Sequence, residues 1–213
     1  MKALYKIILF GLALAAASCG KEDAAKDYGF ARVYIPQATV TGIDNSYPIP
    51  LGPFYQNSKY TCSYSKETGK LDIVVGVIRS GYFAVQQGYS VSLAASASLT
   101  AEKVTETGGV ALPADVCTIP GTITVPDGES GATVKVSVDL KALSAQRATF
   151  YDSGVYKTLV LGLEISNLQG PADYTLADAN TSVVILLNLG SEHWDSVPEG
   201  KPETEVRTLF PLD

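Results

Sequence analysis

Thr133-Val134-Lys135-Val136-Ser137-Val138-Asp139-Leu140 decides the fold. Val134, Val136, Val138 and Leu140 fall on one face at period two, and Lys135, Ser137 and Asp139 fall on the other, which is the pattern of a half-buried strand. Upstream, Leu71, Ile73, Val75 and Val77 repeat it; downstream, Leu159, Leu161, Leu163 and Ile165 do so, relieved by Gly162, Glu164 and Ser166. Weaker strand patterns run over 31–35, 60–64, 89–95, 119–125 and 182–189. Turn residues separate them at 67–69, 79–81, 126–128 and 167–171. In Pro126-Asp127-Gly128 the proline presets φ and the glycine accepts a positive φ. The flanking strands 119–125 and 133–140 are therefore expected to pair as a hairpin. Only 140–146 reads as helix. About seven or eight short strands with no long helix predict an all-β fold, an immunoglobulin-like β-sandwich.

The chain has 213 residues, 46% hydrophobic and 18% charged, enough for one large domain or two small ones. No internal repeat or long linker divides it. The expected organisation is a signal segment over 1–18, a modified Cys19 and tether over 19–30, one sandwich over 31–190, and a polar, proline-bearing tail over 191–213. Acids outnumber bases 22 to 16. Removal of 1–18 takes away Lys2 and Lys6, leaving 14 bases against 22 acids, a side-chain charge of −8. Such an excess argues against a nucleic-acid partner, whose phosphates need Lys and Arg.

The N-terminus carries an address. Met1 to Lys6 is basic, and Ile7 to Ala17 is an apolar run too short to span a bilayer but suited to export. Ala16-Ala17-Ser18-Cys19 resembles a bacterial lipobox, with Ala16 where leucine is usual. The resemblance implies lipidation of Cys19. Gly20-Lys21-Glu22-Asp23 resembles the surface-export signal of Bacteroidota lipoproteins, which implies a lipid-anchored protein exposed on the outer membrane.

The central series Val110-Ala111-Leu112-Pro113-Ala114-Asp115, then 119–125, Pro126-Asp127-Gly128-Glu129-Ser130, the strand 133–140 and Tyr156-Lys157-Thr158-Leu159 through Ser166 resembles domain-of-unknown-function family 1735. The resemblance covers about residues 31–189. Where the family suggests an aromatic after the Leu-Pro turn, this chain has Cys117. Members are similar to immunoglobulin-like sandwiches at the N-terminus of Bacteroidota surface lipoproteins, many within glycan-utilisation systems. No catalytic residue transfers from it.

Motifs for chemistry are sparse. Neither a Gly-x-Ser-x-Gly elbow nor a phosphate loop occurs, since Gly69-Lys70 is followed by Leu71 and Gly200-Lys201 by Pro202. One histidine, His193, and three cysteines are too few for a structural zinc site. A non-enzyme without cofactor or metal is expected. With Cys19 taken by lipid, Cys62 and Cys117 remain, and in an exported protein they are either bridged, closing a loop of about 55 residues, or both free thiols. Tyr47, Phe54, Tyr55 and Tyr60 cluster with prolines in one loop region. Their flat faces and polar tips suit stacking on sugar rings, and the alternative is packing of that loop across the sandwich. Trp194, with Tyr151, is a second aromatic candidate. Asp195-Ser196-Val197 resembles the Bacteroidota O-glycosylation acceptor, with Ser196 as the modified residue. The expected role is non-catalytic glycan capture at the surface. The alternative is a structural or adhesion module that partners another outer-membrane protein through a strand edge.

Overall fold

The valine strand forms β9 (Gly131–Asp139), antiparallel to β4 (Lys70–Arg79) from Lys70↔Asp139 to Ile78↔Gly131. Val136, Val138, Leu71, Ile73 and Val75 are fully buried. On the opposite face Ser137 Oγ donates to Asp72 Oδ1 (2.6 Å), and Lys135 Nζ lies 3.3 Å from Asp72 Oδ2. One face thus excludes water while the other is tied by cross-strand polar contacts.

The computed structural model describes residues 31–42, 44–52, 62–81, 85–197 and 200–212. Two sheets make the sandwich. The first runs β13 (Tyr174–Leu176), β1 (Ala31–Tyr34), β4, β9, β7 (Cys117–Thr118), with β3 (Cys62–Ser65) also on β4. The second runs β2 (Ser46–Ile49), β14 (Ser182–Leu187), β12 (Leu159–Gln169), β5 (Tyr89–Ala95), β8 (Thr122–Val125), with β6 (Val110–Ala111) also on β12. A small hairpin, β10 (Tyr151–Asp152) with β11 (Val155–Tyr156), lies outside both. The eight expected strands correspond to β1, β3, β4, β5, β8, β9, β12 and β14. The all-β sandwich is as expected. The described residues add short strands of two to four residues, below the length at which alternation is readable.

Three expectations are corrected. The turn at Pro126-Asp127-Gly128 is present, with Gly128 at φ 86°, yet it does not close a hairpin. β8 pairs with β5 in one sheet and β9 with β4 in the other, so the turn carries the chain across the core. Each strand buries one face, and those faces lie in opposite sheets rather than side by side.

A helix not expected, α1 (Ala97–Thr107), lies on the outer face of the second sheet. Its threonines favour strands, and its apolar positions are few, so it depends on its ends and its seat. Gly108 closes it in the left-handed conformation, φ 66°. Gly162 of β12 lets it sit close: a Cβ there would be 2.8 Å from Leu99 Cβ and 3.0 Å from Thr100 N. Thr100 Oγ1 accepts from Gly162 N (2.9 Å) and donates to Ser96 O (2.8 Å). Covered on both faces, Leu159 to Leu163 are all buried. The expected helix is present as α2 (Leu140–Ser144), with Asp139 Oδ1 accepting from Ala142 N (2.9 Å) as its cap.

The segment after residue 190 folds back as part of the domain. A 3-10 turn (Glu192–Ser196) and α3 (Glu203–Leu209) bury Trp194, Val206 and Phe210 completely. Trp194 Nε1 donates to Asn188 O (3.0 Å), and Phe210 packs at 6.2 Å from Phe150 and 6.0 Å from Tyr156, centroid to centroid. The prolines hid these anchors in a segment of otherwise polar composition.

Candidate functional site

α1 carries a cation on the side facing the loop before β2. Lys103 is only 6% exposed, and its Nζ donates to Asp44 Oδ2 and to both Glu106 oxygens (3.1 and 3.0 Å). The helix sets the Lys103–Glu106 pair by its i,i+3 spacing. The loop supplies Asp44, followed by Asn45 at φ 56°. Burial opposes the charge of Lys103, but hydrogen bonds to Asp44 and Glu106 outweigh it and raise its pKa. The same hydrogen bond from Lys103 is the largest cause holding the Asp44 carboxyl below its ordinary range. Asn45 Nδ2 donates to Ser182 Oγ (3.2 Å).

These groups line a pocket of about 210 Å³, with Glu102 at its margin and Leu99 and Val184 as its apolar part. Its carboxylates share a buried ammonium, and their further lone pairs can accept from hydroxyl or amine donors. Counting Asp44, Glu102 and Glu106 against Lys103, its formal charge is −2. Among the described residues no group of three His, Cys, Asp or Glu is arranged to hold a metal ion.

The expected aromatic platform is different. Tyr47 is fully buried in β2, where desolvation raises its hydroxyl pKa, so its ring packs in the core and offers no face to a sugar. Trp194 is likewise fully buried, pinned by its indole hydrogen bond. Tyr151 is half-buried, with the Arg147 guanidinium 3.9 Å over its ring. Phe54, Tyr55, Tyr60 and Cys19 lie outside the described residues. Ser196 is half-buried within the 3-10 turn, its Oγ donating to His193 O (2.7 Å). Cys62 and Cys117 are both free thiols in the first sheet. Burial pushes Cys62 up to about 12 and Cys117 up to about 11.

No family model matches the chain, and no curated protein does either. Several solved structures are similar. A two-domain protein of unknown function from Bacteroides fragilis matches at 14% identity and TM-score 0.44, over 75% of this chain and 45% of that one. A multidomain protein including DUF1735, from Bacteroides ovatus, matches at 16% identity and TM-score 0.41, over 75% of this chain and 43% of that one. That is the family the sequence resembles. A protein from Bacteroides ovatus provisionally named as carbohydrate binding matches at 13% identity and TM-score 0.45, over 74% and 36% of the two chains. The chain thus spans less than half the length of these Bacteroides structures. All three TM-scores are below 0.5, so the fold assignment rests on the sheet topology.

The Asp44–Lys103–Glu106 triad was not anticipated. Its local signal was the Lys103–Glu106 spacing, which is visible only once 97–107 is read as helix; Asp44 lies 59 residues away in sequence.

Proposed function

We propose that the protein is a surface lipoprotein that holds the end of a glycan chain without acting on it. The observation that carries this reading is the set of acceptors gathered around Lys103: Asp44 and Glu106 both bond one buried ammonium, with Asn45 and Ser182 beside them. Hydroxyl-rich ligands present many donors, and fixed acceptors meet them with little loss of side-chain freedom. About 210 Å³ is below the ~300–1,000 Å³ of pockets that enclose a whole small molecule. It suits a terminal ring whose chain continues into solvent. The charge of −2 disfavours uronic or sulfated sugars and favours neutral or amino sugars. Attachment rests on Cys19 and the residues around it; no helix among the described residues is long and apolar enough to cross a membrane.

The test is retention of the purified full chain on an array of neutral, amino and acidic glycans. Neutral or amino glycans should be retained, and Asp44→Asn with Glu106→Gln should abolish retention while the circular dichroism spectrum is unchanged. Retention by the double variant would place the site elsewhere; no retention of any glycan by the native chain would end the glycan reading. Among the described residues the edge strands β13, β7, β2, β8, β3 and β6 are two to four residues long, and Pro48 lies within β2, so they offer little to a partner strand.

A further inference from the structure

The other flank of α1 borders a separate cavity of about 520 Å³. Ala97, Ala101 and Val104 line it along one stripe of the helix, and Ala111, Leu161 and Cys117 face them. The stripe advances seven residues, about 10 Å of helix, so the space is elongated. Among the described residues, none of its lining groups is charged or aromatic. Its hydroxyls are already engaged: Thr100 Oγ1 bonds both Ser96 O and Gly162 N, and Ser96 Oγ pairs with Ser98 Oγ (3.2 Å). The Cys117 thiol is half-buried and protonated at neutral pH.

From the shape, the absence of lining charge and the few polar groups of this trough we infer that it binds a neutral aliphatic chain. The trough is open to solvent, with its lining alanines exposed, so a hydrocarbon chain laid along it would remove that apolar surface from water. A sugar would find, among the described residues, no ring to stack on and only two lining hydroxyls, each already bonded to the protein. A carboxylate would find no lining cation among the described residues. Five alanines (95, 97, 101, 111 and 114) keep the space open beside a sheet whose other face is fully packed. The occupant is a chain because the trough follows two turns of helix, and it is neutral because no described residue lining the trough compensates a charge.

The probe is a series of 1-alkanols from hexanol to dodecanol, competed against the neutral fluorophore N-phenyl-1-naphthylamine, on the full chain carrying Cys19→Ser. Affinity should rise about fourfold per added methylene and level off once the trough is full. Decanoate at neutral pH should bind at least tenfold more weakly than decanol. Ala101 is exposed, so Ala101→Trp fills the trough without disturbing the core and should weaken decanol at least tenfold. Glu106→Gln, on the other flank of α1, should leave it unchanged. Bound decanol should also slow alkylation of Cys117 by N-ethylmaleimide. An affinity independent of chain length, equal binding of decanoate, undiminished binding by Ala101→Trp, or an unprotected Cys117 would each overturn the inference.

Discussion

Cys62 and Cys117 stand in one sheet with two strands between them: Cys62 pairs with Ile73 of β4, and Cys117 with Val138 of β9. Three strand spacings of about 4.8 Å put them roughly 14 Å apart, while a disulfide needs Cα atoms within about 7 Å. Without reductant, the denatured chain should therefore take one alkyl group at each of the two cysteines, read by intact mass. In the folded chain Cys117 should react slowly at pH 8, because burial holds its pKa up at about 11, and Cys62 more slowly still. A mass lower by two hydrogens and refractory to alkylation would show a bridge and a different strand order.

Gly162 is the seat of α1. A methyl group there meets Leu99 Cβ at 2.8 Å, Ser96 O at 3.0 Å and Thr100 N at 3.0 Å, two of them backbone atoms. Gly162→Ala should cost about 1–3 kcal/mol through overpacking. Urea unfolding should show a lower midpoint with an unchanged slope, and hydrogen exchange should rise first in α1. An unchanged midpoint would mean that the helix does not rest on β12.

Trp194 ties the C-terminal segment to the sandwich. Trp194→Ala removes a fully buried ring and its hydrogen bond to Asn188 O, and should destabilise the whole domain by about 3–5 kcal/mol. Calorimetry should show a single transition moved to lower temperature. A loss below about 1 kcal/mol would show that the segment from 191 onward is an appendage.

The Lys103 triad gives stability a pH dependence. Asp44 has a folded pKa below its ordinary 3.8, so its contribution is present above 3.8 and is lost as pH falls through the lower folded value. Lys103 has a raised pKa, so its contribution is complete below 10.5 and is lost as pH rises through the folded value. Asp44 and Glu106 are 39% and 61% exposed, so solvent screening keeps the pairing small, about 0.2–1 kcal/mol. Lys103→Met should flatten both limbs of the stability curve. Limbs as steep as those of the native chain would show that the triad adds nothing to folding.

Much of the sandwich was legible. Val134, Val136 and Val138, or Leu159 to Ile165, show their alternation within a few residues, and water decides which face turns inward before any partner is present. The cap at Asp139 and the turn at Gly128 are similarly local, set by one side chain and one φ angle. The site was less legible. Tyr47 and Trp194 have the chemistry of sugar platforms, and nothing within a few residues of either reveals that the opposite sheet and the returning C-terminal segment cover them.

Alternation along a strand says which of its faces turns away from water, and Pro and Gly say where the chain bends, because both depend on neighbours one to four positions away. Packing across the core puts β8 and β9 in different sheets, holds Cys62 and Cys117 apart and brings Asp44 to Lys103. Period-two alternation states that a strand has a partner on its apolar side without naming it, since every half-buried strand carries the same pattern. The choice among those partners is made by packing over the whole core, and the pocket beside Lys103 exists only after that choice.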